Sequence, residues 1–293
     1  MLRVLEYYLD GTSENYWSYL EREFPNIADI QPRSALTMHA TAHHLWTLWL
    51  LAFAAGPWPS AEQESKSLTT MTLVHARAMA APSYGDLVKR LETTGKLAHI
   101  DRGLLNATKA MVATAPAWRS GAVRLGIAQS EIGSLSRLLL PQDEFPPLRD
   151  AYQQTFEAVC KSLSLLVASL NAEQNGDVSD FTGRSYTDTN GTTKSVNTLA
   201  SYERLSNANK LAVIRADSRL AAMLDALDNR TRNAIGHASA HHDLRSGLVI
   251  NDKGDQESYF DFVAKVYRLT VPLMAAVGVV RGCRVYAAEL LAE

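Results

Sequence analysis

Towards the C-terminus the chain places Arg232 and Asn233 a few residues ahead of His237, three residue types that handle phosphate. Arginine is a permanent cation whose planar fork grips two oxygens at once. Histidine moves a proton near neutral pH. Asparagine is a short amide that can orient either of them. Together they suit metal-free cleavage of RNA. In that reaction the substrate's 2′-hydroxyl attacks phosphorus. One side chain removes its proton, another stabilises charge on the phosphorus-bound oxygens, and a third protonates the leaving 5′-oxygen. His237 fits the acid or base role, and Arg232 the charge-stabilising role. No cofactor is expected.

Spacing adds a constraint. Asn233 is four residues before His237, so on a helix the two share a face. Arg232 is five before it, roughly 140° around an unbroken helix. Arg232 and His237 therefore converge only if the helix breaks or bends at Gly236, or if a second copy of the chain completes the site. A symmetric dimer supplies a second set across its two-fold axis, and an acid–base partner is otherwise missing. The expectation is a homodimer with the motif at its interface. Arg230, His241, His242 and Arg245 are candidate RNA-phosphate contacts. From Lys210 to Arg245 there are six Lys or Arg against four Asp, so such contact is local and salt-sensitive. His237, His241 and Asp243 form a competing metal site for water activation, but a helical His pair without further acidic ligands is a weak signal. No metal is expected. The plainer reading is that Arg, Asn and His between helices cap carbonyls and fill polar interfaces, with His241 and His242 at a solvated helix end. His39 and His43 are also four apart, yet no further ligand lies near; they read as packed side chains.

The composition is that of a globular chain with a sizeable core: 293 residues, 46% hydrophobic and 20% charged. The formal net charge of −2 argues against a surface coated with positive charge for bulk nucleic-acid binding. Cys160 and Cys283 are far apart and form no framework, which points to a reducing compartment. Cys160 sits in an apolar helical pattern and reads as a buried thiol. Glu6 and Asp10 interrupt the apolar run that a signal peptide needs. The apolar runs Leu45 to Ala55 and Leu269 to Val280 are short of the roughly 18 residues that span a bilayer and read as buried helices. The expected location is cytoplasmic, with no membrane contact.

The elements that position the motif read as helices almost throughout. Tyr16, Tyr19 and Leu20 share one face of a helix ending before Pro25. Ser34 or Thr37 caps a helix through His39, His43, Trp46 and Leu50. Ser60 opens another through Leu68, Met71, Leu73, Val74 and Met79. Further helices are expected over Asp86 to Thr93, Ile100 to Thr114 and Trp118 to Leu140, weakened by Gly103, Gly121, Gly126 and Gly133. The Pro-rich run Pro141 to Pro147 is the better candidate boundary, giving an N-terminal helical region 1–140 of unassigned role and a second domain 141–293. In the latter, Leu148, Tyr152, Phe156, Val159, Cys160, Leu163, Leu166 and Leu170 form one helical stripe. Residues 171–198 form a polar insertion, with a β-hairpin turning at Asn190-Gly191, and read as a surface loop or a substrate-guiding arm. One helix is expected over Ser201 to Leu227, with the stripe Leu220, Met223, Leu224, Leu227. After the motif come a short strand Leu248 to Ile250 and a last helix from near Gln256, kinked at Pro272.

The six residues Arg232-Asn-Ala-Ile-Gly-His237, between a helix pair and a final helix, resemble the Rx4–6H motif of the HEPN superfamily. The resemblance covers about residues 145–293. It implies an all-α helical bundle, here with a small β-hairpin or loop insertion, often dimeric. It also implies a metal-independent endoribonuclease of bacterial toxin, abortive-infection or CRISPR systems, under the control of an antitoxin or regulatory partner. Arg232 and His237 would be catalytic and Asn233 supporting. Some family members have lost activity, which leaves the alternative of a non-catalytic nucleotide- or partner-binding module.

Overall fold

In the computed structural model, residues 2–10, 12–25, 30–54, 61–122, 144–188, 190–236, 240–251 and 254–292 are described. They form a helical bundle with small two- and three-stranded sheets, as expected for an all-α chain with a β insertion. The helices are α1 Leu2–Leu9, α2 Ser13–Glu23, α3 Ala35–Ala54, α4 Ala61–Ala78, α5 Pro82–Thr93, α6 Lys96–Ala113, α7 Ala115–Trp118 and α8 Phe145–Asn175. After the first hairpin come α9 Leu199–Glu203, α10 Asn207–Arg215, α11 Ala221–Asp225 and α12 Asn229–Gly236, then α13 Tyr259–Arg268 and α14 Thr270–Ala292.

Two helices organise the core. Every member of the predicted stripe on α8, from Leu148 to Leu170, is buried. Leu165, Val167 and Ala168, off that stripe, are buried as well, so the helix is enclosed on most sides. It packs on α6, α4 and α14. Pro146 and Pro147 occupy its first turn, where a missing N–H costs nothing. Gly176, left-handed at φ 75°, ends it. The helix therefore runs past Asn171, and the polar insertion begins later than expected. The second organiser, α14, packs on α3, α4, α5 and α6. Helices from both sides of residue 140 thus share one hydrophobic core. The stretch Tyr259–Ala292 is apolar and long enough to cross a membrane, but 83% of its apolar window is buried inside the protein.

At the junction lies a buried ion network. Asp101 on α6 is fully buried, and one oxygen accepts from Arg281 Nε at 3.2 Å while the other accepts from Arg284 Nη1 at 3.4 Å. Arg284 also donates to Glu92 on α5 at 3.1 Å. The two outer nitrogens of Arg281 have no hydrogen-bond partner among the described residues. Its guanidinium lies 5.0 Å from the Trp46 ring centroid, where the ring face offers partial compensation. His39 Nδ1 meets the Tyr8 hydroxyl at 2.7 Å, and its Nε2 is 3.6 Å from Glu92. His39 is therefore a packed histidine, as predicted. No cluster of three or more His, Cys, Asp or Glu side chains suited to a metal occurs among the described residues.

Several sequence expectations need correction. The single helix expected over Ser201 to Leu227 is broken into α9, α10, a 3-10 turn at Ser218–Leu220 and α11. Ser206 accepts from Asn209 N and restarts the helix. Asp217 accepts from Arg219 N in a side-chain turn. Ser and Asp compete with the helical ladder in this way. The stripe itself stands, since Leu220, Met223, Leu224 and Leu227 are all buried. The hairpin forms with β1 Ser185–Thr187 against β2 Thr193–Ser195, but pairing closes at Thr187↔Thr193. Asn190-Gly191 thus lies inside a longer loop, where Asp188 accepts from Asn190 N and Thr192 N. The last helix begins at Tyr259 rather than Gln256, because Gln256–Ser258 is strand β5 and Ser258 caps α13 by accepting from Asp261 N. The chain then breaks at Leu269, between α13 and α14, three residues before Pro272. On α4, Met71 and Val74 are buried but Leu73 faces out. Gly121 weakens a helix for a packing reason: a Cβ there would stand 2.7 Å from the Val263 carbonyl of α13. Ser60 and most of the helix expected to reach Leu140 lie outside the described residues.

Two outcomes follow from this core. Asp101→Asn removes the charge shared by two buried guanidinium groups and is expected to lower stability by about 3–5 kcal/mol in urea unfolding; a midpoint shift near zero would refute the role. The second outcome concerns pH. Burial pulls the His39 pKa down to about 3, helped by the Arg284 charge, and that of His75 down to about 4, helped by His43. Unfolded imidazoles take up a proton near pH 6.5. The stabilising contribution is thus present above pH 6.5 and lost as pH falls towards 4. Each imidazole contributes a slope of about 1.4 kcal/mol per pH unit in that window. Urea titrations of His39→Gln and His75→Gln between pH 7 and 5 should show a flatter dependence than the parent.

Candidate functional site

Helix α12 carries Arg232 and Asn233, and its position is fixed at its start. Asp228 accepts from the Arg230 backbone N at 2.9 Å and from the Thr231 hydroxyl at 2.7 Å, as an N-cap does. The Asp228 carbonyl accepts from the Tyr152 hydroxyl of α8 at 3.1 Å. Lys265 of α13 donates to Thr231 Oγ1 at 2.8 Å and lies 3.4 Å from the Asp228 carboxylate. Burial works to raise the Asp228 pKa, but the Thr231 hydrogen bond and the Lys265 charge hold it below the usual carboxylate value. Thr231 and Ile235, four apart, face the core.

That placement turns the neighbouring Arg232 towards α8. Its Nε donates to Glu157 Oε1 at 2.6 Å, and its Nη2 pairs with the same oxygen. Its Nη1 donates to Asn233 Oδ1 at 3.1 Å. The other carboxylate oxygen of Glu157 accepts from Asn207 Nδ2, on the first turn of α10, at 3.1 Å. The side edge of the guanidinium is therefore occupied. One N–H on each of Nη1 and Nη2 remains without a partner among the described residues, forming an outer edge of the right shape for a bidentate oxyanion. The Arg232 side chain is 31% exposed, so part of it reaches solvent. Lys161, four residues after Glu157 on α8, is exposed. The Cys160 thiol beneath is pushed up to about 12 by burial and then by the Glu157 charge, against the opposing charges of Lys210 and Arg232. It stays protonated and is the buried thiol predicted.

The remaining predicted residues fall elsewhere. His237 lies outside the described residues. Helix α12 is described as far as Gly236, so the break or bend expected there falls at the edge of the described residues. His241 to Asp243 form strand β3, paired with β4 Leu248–Ile250, which pairs in turn with β5. The predicted strand at 248–250 is therefore present, whereas the solvated helix end expected at His241 and His242 is a strand. His241 lies on a strand and not on a helix, which removes the helical spacing behind the metal alternative. Asp243 accepts from Ser246 Oγ at 2.6 Å and from Arg245 N at 3.1 Å, closing the β3–β4 turn. His241 is exposed, and His242 stacks on Tyr259 with ring centroids 4.2 Å apart. Arg230 is two residues from Arg232, roughly 200° around the helix. It lines a groove with Asp228, Asp255, Glu257 and Lys265, on a different face from the Glu157–Arg232 pair.

Sequence reasoning missed Glu157 and Asn207. They lie 75 and 25 positions ahead of Arg232, and no local spacing links them. The one available signal was a carboxylate immediately beside the apolar stripe of α8. The chain matches no protein-family model, no curated protein and no solved structure.

Asp228→Ala is expected to cost about 1–2 kcal/mol through loss of the cap. Amide exchange at Arg230 and Thr231 should quicken more than exchange in the middle of α8; equal protection in the variant would show that the cap does not hold α12.

Proposed function

We propose that this chain is a metal-independent endoribonuclease of HEPN type, an effector of bacterial defence of the toxin or abortive-infection kind. The supporting observation is the partly exposed Arg232 guanidinium, held by Glu157 and steadied by Asn233, with donor capacity left on Nη1 and Nη2. A bound RNA phosphate would lie against their outer edge. The 2′-hydroxyl attacks phosphorus, the P–O5′ bond breaks, and the products are a 2′,3′-cyclic phosphate and a 5′-hydroxyl. His237 moves the proton at the 2′- or the 5′-oxygen, and a second copy of the motif across a two-fold axis supplies the complementary group. Glu157 acts through Arg232, as a positioning residue that keeps the fork from folding onto another carboxylate. The exposed Lys161 and the nearby Lys210 add positive charge along the expected path of the strand. A partner protein that covers Arg232 would hold the enzyme inactive.

The charge pairing of Arg232 with Glu157 also favours a second reading, a non-catalytic module that binds nucleotides or a partner through the same edge. Purified protein incubated with RNA in excess EDTA separates the two. The ribonuclease cleaves, and Arg232→Ala and His237→Ala each lower the rate about 100-fold or more. The fragments should end in cyclic phosphate. Wild-type rates in both variants would sink the assignment, and binding without cleavage by the parent would favour the module.

A further inference from the structure

The far end of α8 carries a second cluster of arginines, unrelated to the motif. Arg77 at the end of α4, Arg184 ahead of β1 and Arg219 in the 3-10 turn line one cleft of about 900 Å³, together with Glu173, Gln174 and Asp217. Glu157 and Glu173 are sixteen residues apart on α8, about 24 Å along the helix, so this cleft is separate from Arg232.

The two carboxylates are already committed. Arg219 donates to both Glu173 oxygens at 2.9 and 3.0 Å and to Asp217 at 2.7 Å. Arg77 Nη1 donates to Glu173 at 3.0 Å, with 63% of its side chain exposed. Arg184 differs from both. It is only 8% exposed and makes no ion pair among the described residues, although the charge of Asp217 on the same cleft acts on it from further away. Its Nε donates to Asn171 Oδ1 at 2.9 Å and its Nη2 to Gln174 Oε1 at 2.8 Å, both neutral amides. Its Nη1 makes no hydrogen bond among the described residues. A buried cation held by neutral partners is costly unless a counter-charge completes it. The cleft as a whole has three guanidinium groups against two carboxylates, which leaves one positive charge facing the opening.

We infer that this cleft is a binding site for a phosphate group, seated between Arg184 Nη1 and the Arg77 nitrogens that have no partner among the described residues. A tetrahedral phosphate presents oxygens to two guanidinium groups on different elements, whereas a carboxylate fills only one fork. The site lies where α4, α8, the segment before β1 and the 3-10 turn meet, so occupancy ties the insertion to the bundle. It stands independently of the ribonuclease reading and is tested without RNA.

Titration calorimetry with inorganic phosphate, against acetate at equal ionic strength, reads the site directly. The wild type should bind phosphate with a Kd of about 1 mM or tighter, and acetate at least tenfold more weakly. Arg77→Glu, on an exposed side chain, should weaken phosphate binding tenfold or more. Glu173→Gln, which releases part of Arg77 and Arg219, should strengthen it severalfold. Arg184→Gln should abolish it, and if that variant does not fold the other two still decide. Arg232→Ala removes the other guanidinium offered to an oxyanion, and should leave intact the part of the phosphate binding that Arg77→Glu weakens. No heat of phosphate binding in the wild type, unchanged affinity in both Arg77→Glu and Glu173→Gln, or loss of the Arg77-dependent binding in Arg232→Ala would each overturn the inference.

Discussion

Asp101 holds the two halves of the chain together. Its carboxylate is removed from water and is shared by Arg281 and Arg284, both on α14 and both buried. Two cations enclosed in a helical core are tolerated only with paired counter-charges, and Asp101 and Glu92 supply them from α6 and α5. Once that register is set, α14 is fixed against α3, α4, α5 and α6, and α8 packs against α4, α5 and α6 as well. Apolar burial provides most of the driving force for this packing, but it is not directional. The ion network selects one rotation of α14 among several that would bury similar area.

The candidate site is built on the outer face of that scaffold. Helix α12 is described over only eight residues, and a helix of so few turns does not persist alone in water. Its place depends on the Asp228 cap, the Tyr152 bond to the Asp228 carbonyl and the burial of Thr231 and Ile235. With those two facing inward, Arg232 must face α8, where Glu157 meets it. The pairing has two effects on the guanidinium. It lowers the net charge offered to an incoming phosphate, and it fixes the plane of the fork, so less conformational entropy is lost when an oxyanion binds. Arg184, at the other end of α8, is the opposite case, a buried guanidinium whose hydrogen-bond partners among the described residues are amides.

Much of the scaffold was legible because it depends on period and punctuation. The apolar stripe on α8, the stripe from Leu220 to Leu227, the strand at Leu248–Ile250 and the hairpin of the insertion all appear where patterning placed them. Errors came where short polar side chains compete with the ladder. Ser206 and Asp217 interrupt a stripe that reads as continuous, and Asp188 opens a longer turn than Asn-Gly alone suggests. The strand at His241–Asp243 was not readable, because three polar residues pair only once β4 is beside them.

The sequence by itself determined that this chain is helical and which faces of its longest helices are buried. Those properties follow from local periodicity and from the residues that start and stop helices. Only the tertiary structure decided that Glu157 and Asn207 complete the surroundings of Arg232, that Arg230 faces another groove, and that Arg77, Arg184 and Arg219 share a cleft. Each of these joins positions distant in the chain. Local spacing carries no information about such pairs, and the packing of α8 against its neighbours alone brings them within hydrogen-bond reach.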